Sequence, residues 1–128
     1  MHRLAHPDGE EGTSRAAAKA GICMGLSAYS TASMEDVIAQ GQGNPYAFQM
    51  SMYLNHDTME NMVRRAEAAG YKAIIVTVDA PILGRRLNEL RNAFEPPEGT
   101  RFPNLSSDDS FSFVNAAEEG MINGSTCP

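Results

Sequence analysis

The sequence predicts an α/β protein organised on a parallel sheet, and three observations carry that prediction. Segments reading helix, glycine, strand follow one another three times, no hairpin signal joins any two strands, and residues 73–78 form a near-continuous apolar run. An unbroken apolar strand is what a parallel sheet covered on both faces requires. Pro81 and Gly84 forbid its continuation, so the strand ends near Asp79.

Residues 9–21 are rich in helix formers, carry acids at the start and end on Gly21, which suits a left-handed cap. Residues 22–27 follow as a short strand, with Ile22, Met24 and Leu26 on one face and Cys23, Gly25 and Ser27 on the other. Ser33 caps a second helix with Met34, Val37 and Ile38 on one side, stopped by Gly41 and Gly43. A second strand spans residues 45–53, where Phe48, Met50 and Met52 alternate with Gln49, Ser51 and Tyr53. Asp57 and Glu60 have capping-box spacing ahead of the stripe Met59, Met62, Val63 and Ala66, which ends at Gly70. The methionines read as filler between helix and sheet. Residues 87–94 allow two helical turns before Pro96 and Pro97, and residues 98–128 read as an irregular segment, disordered in isolation.

At 128 residues, 42% hydrophobic and 20% charged, the chain can hold one modest domain. Its net charge of −6 argues against a nucleic-acid footprint and against an anionic membrane surface. No apolar run approaches the length of a membrane span and no secretory core follows Met1, so an intracellular, cytoplasmic protein is expected. Cys23 and Cys127 give neither a disulfide framework nor metal-ligand spacing, and Cys23 reads as a small core residue.

Along the third strand, Ile75, Thr77 and Asp79 share one side, which is the side that ends in polar groups. On the residues alone, Asp79 reads as the cap of the turn at Ala80 and Pro81, and Ser27, Gln49 and Thr77 read as ordinary polar strand ends.

Several separated motifs change that reading. Met1 to Glu10, Gly25-Leu26-Ser27, Phe48-Gln49, Arg65-Ala66-Glu67, Gly70-Tyr71-Lys72-Ala73, Thr77-Val78-Asp79-Ala80-Pro81 and Leu83-Gly84-Arg85-Arg86 together resemble the FMN-dependent 2-hydroxy acid dehydrogenases and oxidases, among them glycolate oxidase and flavocytochrome b2. Residues 87–92 resemble a fungal branch. The resemblance covers residues 1–105 and implies a (β/α)8 barrel, of which this chain holds roughly three β/α units, with 106–128 an irregular tail. It implies FMN as cofactor, a small 2-hydroxy acid as substrate and homo-oligomeric full-length relatives.

By resemblance, Ser27, Gln49 and Thr77 hydrogen-bond the flavin ring, and Asp79 orients and charges the catalytic histidine, which lies later in the family's sequences. Arg86 stands near the substrate carboxylate, Arg85 is a solvated surface charge, and Tyr29 lines the substrate entrance. His2, His6 and His56 match no catalytic position and read as structural. Aligned without gaps, Ser51 occupies a position where many members place a substrate-contacting tyrosine; a two-residue slide would offer Tyr53 instead. A whole barrel takes ~250 residues, so an internal piece of one is expected, without the base histidine or the phosphate anchor. The rival expectation is a non-catalytic remnant that at most binds a partner chain through its exposed barrel edges.

Overall fold

The computed structural model describes residues 1–53, 55–79 and 86–105. Arg85, the turn at Pro81 and Gly84, Cys127 and the tail 106–128 lie outside the described residues. After a short 3-10 turn at His2–Leu4, the order is α1 (Gly9–Ala20), β1 (Met24–Ser27), α2 (Met34–Ala39), β2 (Tyr46–Ser51), α3 (His56–Ala69), β3 (Ala73–Thr77) and α4 (Leu87–Arg91). The strands form one parallel sheet in the order β1-β2-β3, as the helix, glycine, strand rhythm predicts.

Gly21 and Gly70 end α1 and α3 in the left-handed conformation, at φ 66° and 95°. The Gly21 cap also explains a difference from expectation. The Ile22 N–H still bonds to Ala17 O, and strand pairing begins only where the Met24 N–H reaches Pro45 O. Ile22 and Cys23 therefore lie outside β1 and are exposed, so Cys23 is not a core residue. Ser33 caps α2 by accepting from the Asp36 N–H at 3.0 Å, as expected. On α3 the cap is Asn55, which accepts from the Thr58 N–H, because the helix already includes Asp57; Glu60 pairs with Arg64 instead of closing a capping box.

The core lies between the sheet and α1–α3. Met24, Leu26, Tyr46, Phe48 and Met50 point to the helices and meet Ala17, Met34, Val37, Met62, Ala66 and Tyr71. Buried methionines on both layers act as the filler the sequence suggested. Tyr46 sends its hydroxyl to Ser14 Oγ at 2.6 Å, and Tyr71 donates to Met34 O at 2.9 Å, so neither phenol is left unsatisfied in the core. A Cβ on Gly41 would fall 2.5 Å from the Tyr46 ring, so this turn requires glycine for space.

Two further expectations are corrected. β3 is not buried on both faces: Ile75 is 49% exposed and Val78, just past the strand, 77%. It is an edge strand, and among the described residues no further strand pairs with it and no helix covers Ile74 and Val76. Nor are residues 98–105 a free loop. Phe102 and Asn104 are buried, and Arg65 holds Pro103 O while bridging to Glu35 through two bonds of 2.8 and 2.9 Å.

The N-terminal turn is fastened by Glu10, which is 1% exposed. Burial alone would raise its pKa. The Thr31 hydroxyl and N–H, the His2 N–H and the Met1 amino group outweigh it and hold the carboxyl at about 2 against an ordinary 4.5. A depressed carboxylate contributes stability above its unfolded pKa and loses it as pH falls through the folded value. Urea midpoints measured against pH should therefore hold their Glu10 contribution down to about pH 4.5 and lose it toward pH 2. Glu10→Gln should lower stability at pH 7 by about 2 kcal/mol and flatten that acid limb.

Candidate active site

Parallel register decides which polar groups meet. Ser27 pairs with Gln49, Gln49 with Ile75, and Ser51 with Thr77, so these side chains share the sheet face turned away from the helices. The opposite face is occupied by Leu26, Phe48 and Met50, which is why the polar set is free of the core. Gln49 Nε2 donates to Thr77 Oγ1 at 2.7 Å across two strands. That bond fixes the amide and leaves its carbonyl oxygen as an acceptor. Ser27 Oγ accepts from the Tyr29 N–H at 3.2 Å and keeps its own proton to donate. Beneath this row lie Gly25 and Ala47, and a Cβ at Gly25 would meet nothing within 4 Å. The result is a flat floor under uncharged donors and acceptors.

The other sequence-predicted residues are placed as follows. Asp79 is two residues beyond Thr77, exposed at the end of β3. Ser51 is half-buried and pairs with Thr77. Tyr29 is half-buried in the β1–α2 connection, its ring edge-on to Phe102 at 6.4 Å. Arg86 is not drawn into this group: its guanidinium pairs with Glu89 at 2.9 Å on the exposed start of α4, beyond the undescribed residues 80–85. His2 and His6 serve local structure, at Thr13 Oγ1 and the Asp8 N–H.

Tyr53, the residue that a two-residue slide would offer in place of Ser51, lies close to Tyr29. β2 ends at Ser51, and the alternation does not carry on beyond it: Met52 is exposed, while Tyr53 packs toward the helix-side core. Its hydroxyl is buried beside the Tyr29 phenol, and its N–H meets Met59 Sδ at 3.3 Å. Burial, and then the neighbouring Tyr29 phenol, raise the Tyr53 pKa; burial likewise raises that of Tyr29, partly offset by Tyr53. The two phenols thus stand together near the strand ends. A half-open cavity of about 460 Å³ lies elsewhere, between the N-terminal turn and residues 97–103. It mixes Arg3 and Arg101 with Asp36 and Glu98 and includes none of the polar sheet face.

Comparison with known proteins decides the family. The model of the FMN-dependent dehydrogenases matches residues 1–121. The chain belongs to that family. It is 54% identical over 109 residues to oxidase FUB9 of Gibberella moniliformis, covering 84% of this chain and 28% of that protein. With glycolate oxidase 1 of Zea mays it shares 44% over 121 residues, covering 94% and 32%. Among solved structures, mandelate oxidase with (S)-2-phenylpropionate superposes with a TM-score of 0.75 at 40% identity, covering 80% of this chain and 30% of that one. A Pediococcus acidilactici protein named as a lactate oxidase gives 0.76 at 36%, covering 82% and 29%. The chain thus spans about a third or less of these relatives, as an α/β piece of their FMN-dependent barrel fold. Members of the family act on small 2-hydroxy acids. No described helix is long and apolar enough to cross a membrane.

The Tyr53 hydroxyl lowers the Tyr29 pKa, so Tyr53→Phe should move the Tyr29 titration upward. A pH titration of the tyrosine ring signals checks this; an unmoved Tyr29 would mean that the two hydroxyls do not meet.

Proposed function

We propose that this chain supplies part of the flavin bed and substrate site of an FMN-dependent enzyme oxidising the CH–OH group of (S)-2-hydroxy acids. The observation that supports it most is the row Ser27, Gln49 and Thr77, uncharged and on one sheet face above Gly25. Such groups match the carbonyls and nitrogens of a neutral flavin ring, and the absent Gly25 side chain lets a flat ring approach. FMN, when bound, accepts the electron pair removed from the substrate carbon. Ser27 donates through its hydroxyl, while Gln49, held by Thr77, offers its carbonyl oxygen.

Asp79 orients a base histidine that lies later in the family's sequences and stabilises its imidazolium once it holds the substrate proton. Arg86 helps hold the substrate carboxylate after exchanging its exposed Glu89 partner, a pair of the kind that costs little to break. Tyr29 and Ser51 border the rest of the substrate, and serine leaves more room there than an aromatic ring. The full-length protein is cytoplasmic and homo-oligomeric on this reading. The open edge and exposed apolar side chains of β3 favour a second reading, a non-catalytic remnant that docks on a partner chain.

Anaerobic bleaching of the flavin absorbance by (S)-2-hydroxy acids in the full-length protein separates the two. The enzymatic reading predicts bleaching, with Asp79→Asn lowering kcat by about 100-fold while KM changes less than about threefold. An FMN-loaded protein that no 2-hydroxy acid reduces would overturn it. Ser51→Tyr should shift the preference toward smaller hydroxy acids, seen as KM ratios across a substrate series.

A further inference from the structure

Residues 98–105 return from α4 to the body of the protein and dock on the β1–α2 connection, the stretch that carries Tyr29. The anchor is Asn104, 2% exposed and 74 residues away in sequence from its partner Ser30. Its Nδ2 donates to Ser30 Oγ at 2.7 Å and Ala32 O at 3.2 Å. Its Oδ1 accepts the Met34 N–H at 2.9 Å, one of the donors that the first turn of α2 leaves without an intrahelical partner. Ser30 Oγ in turn donates to Ala32 O at 2.6 Å, so one buried amide organises the whole connection.

Phe102 adds the side-chain contact. It is buried, and its ring meets Tyr29 edge-on at 6.4 Å and 73°, a favourable aromatic geometry. Arg65 fixes the same segment from α3 through Pro103 O at 3.2 Å. Tyr29 is thus held from its backbone by Ser27 and across its ring by Phe102, with Tyr53 at its hydroxyl end.

We propose that Asn104 and Phe102 are positioning residues that fix the Tyr29 ring against Tyr53, so that residues 102–104 set the shape of the substrate entrance. The significance for substrate rests on the function proposed above; the positioning itself does not. An extended loop with the same contacts but no such role would stabilise the protein without selectively changing Tyr29. That difference can be read directly.

The test is NMR of the 128-residue chain with ¹³C-labelled tyrosine rings, which number four. Phe102→Leu removes the ring facing Tyr29, and Asn104→Ala removes the anchor. In Phe102→Leu the Tyr29 signal should lose its ring-current shift, and in Asn104→Ala the Tyr29 and Tyr53 signals should both move or broaden. Tyr46 and Tyr71, in the helix-side core, should stay in place, and Phe102→Tyr should restore the Tyr29 position. Unchanged Tyr29 signals in both variants would overturn the proposal, as would equal displacement of all four rings, which marks general loosening. Because no flavin or substrate is used, this result stands apart from the flavin-bleaching assay.

Discussion

The parallel pairing of β2 between β1 and β3 is the constraint on which the rest depends. β2 is the one strand in the described sheet with neighbours on both sides, and its alternation is strict: Tyr46, Phe48 and Met50 to the helices, Gln49 and Ser51 away from them. A slip of one residue would put Gln49 into the core and Phe48 on the polar face. Core and site are therefore specified by the same register. The buried tyrosines reinforce it, since Tyr46 reaches α1 through Ser14 while Tyr71 reaches α2 through Met34 O.

How much of this was legible in sequence follows from how local each signal is. The caps at Gly21, Ser33 and Gly70 and the face alternation of β2 depend on neighbouring residues, and all were readable. The exposure of β3 was not, because an apolar run states what a strand is suited to and not whether a neighbour is present. Cys23 was misplaced because the cap of α1 consumes two further residues before pairing can start. Asn104 was the hardest to read: its partners lie some 70 residues earlier, and an isolated Asn in a polar segment gives no local sign of burial.

The candidate site shows the same division. Ser27, Gln49 and Thr77 were found by resemblance, and the strand parity independently permits them to share a face. What the sequence did not show is the Gln49–Thr77 bond, which orients two of the three polar side chains against each other. Tyr53 shares the side of Ser51 by parity, yet it packs toward the helices because β2 ends at Ser51. Its hydroxyl is buried beside the Tyr29 phenol, a neighbour from another connection that no local pattern announces. Arg86, whose present partner is Glu89, is the residue for which resemblance and observed contacts stand furthest apart.

The measurement that tests the central claim most directly is titration of the ¹⁵N-labelled chain with FMN, following backbone and side-chain amide signals. If the polar sheet face is a flavin bed, saturable shifts will concentrate at Gly25, Ser27, Thr77 and the Gln49 side-chain amide, leaving Val37, Met62 and Ala66 on the helices in place. Shifts confined to the helix layer or to the cavity beside Arg3 and Arg101, or none at millimolar FMN, would contradict the account.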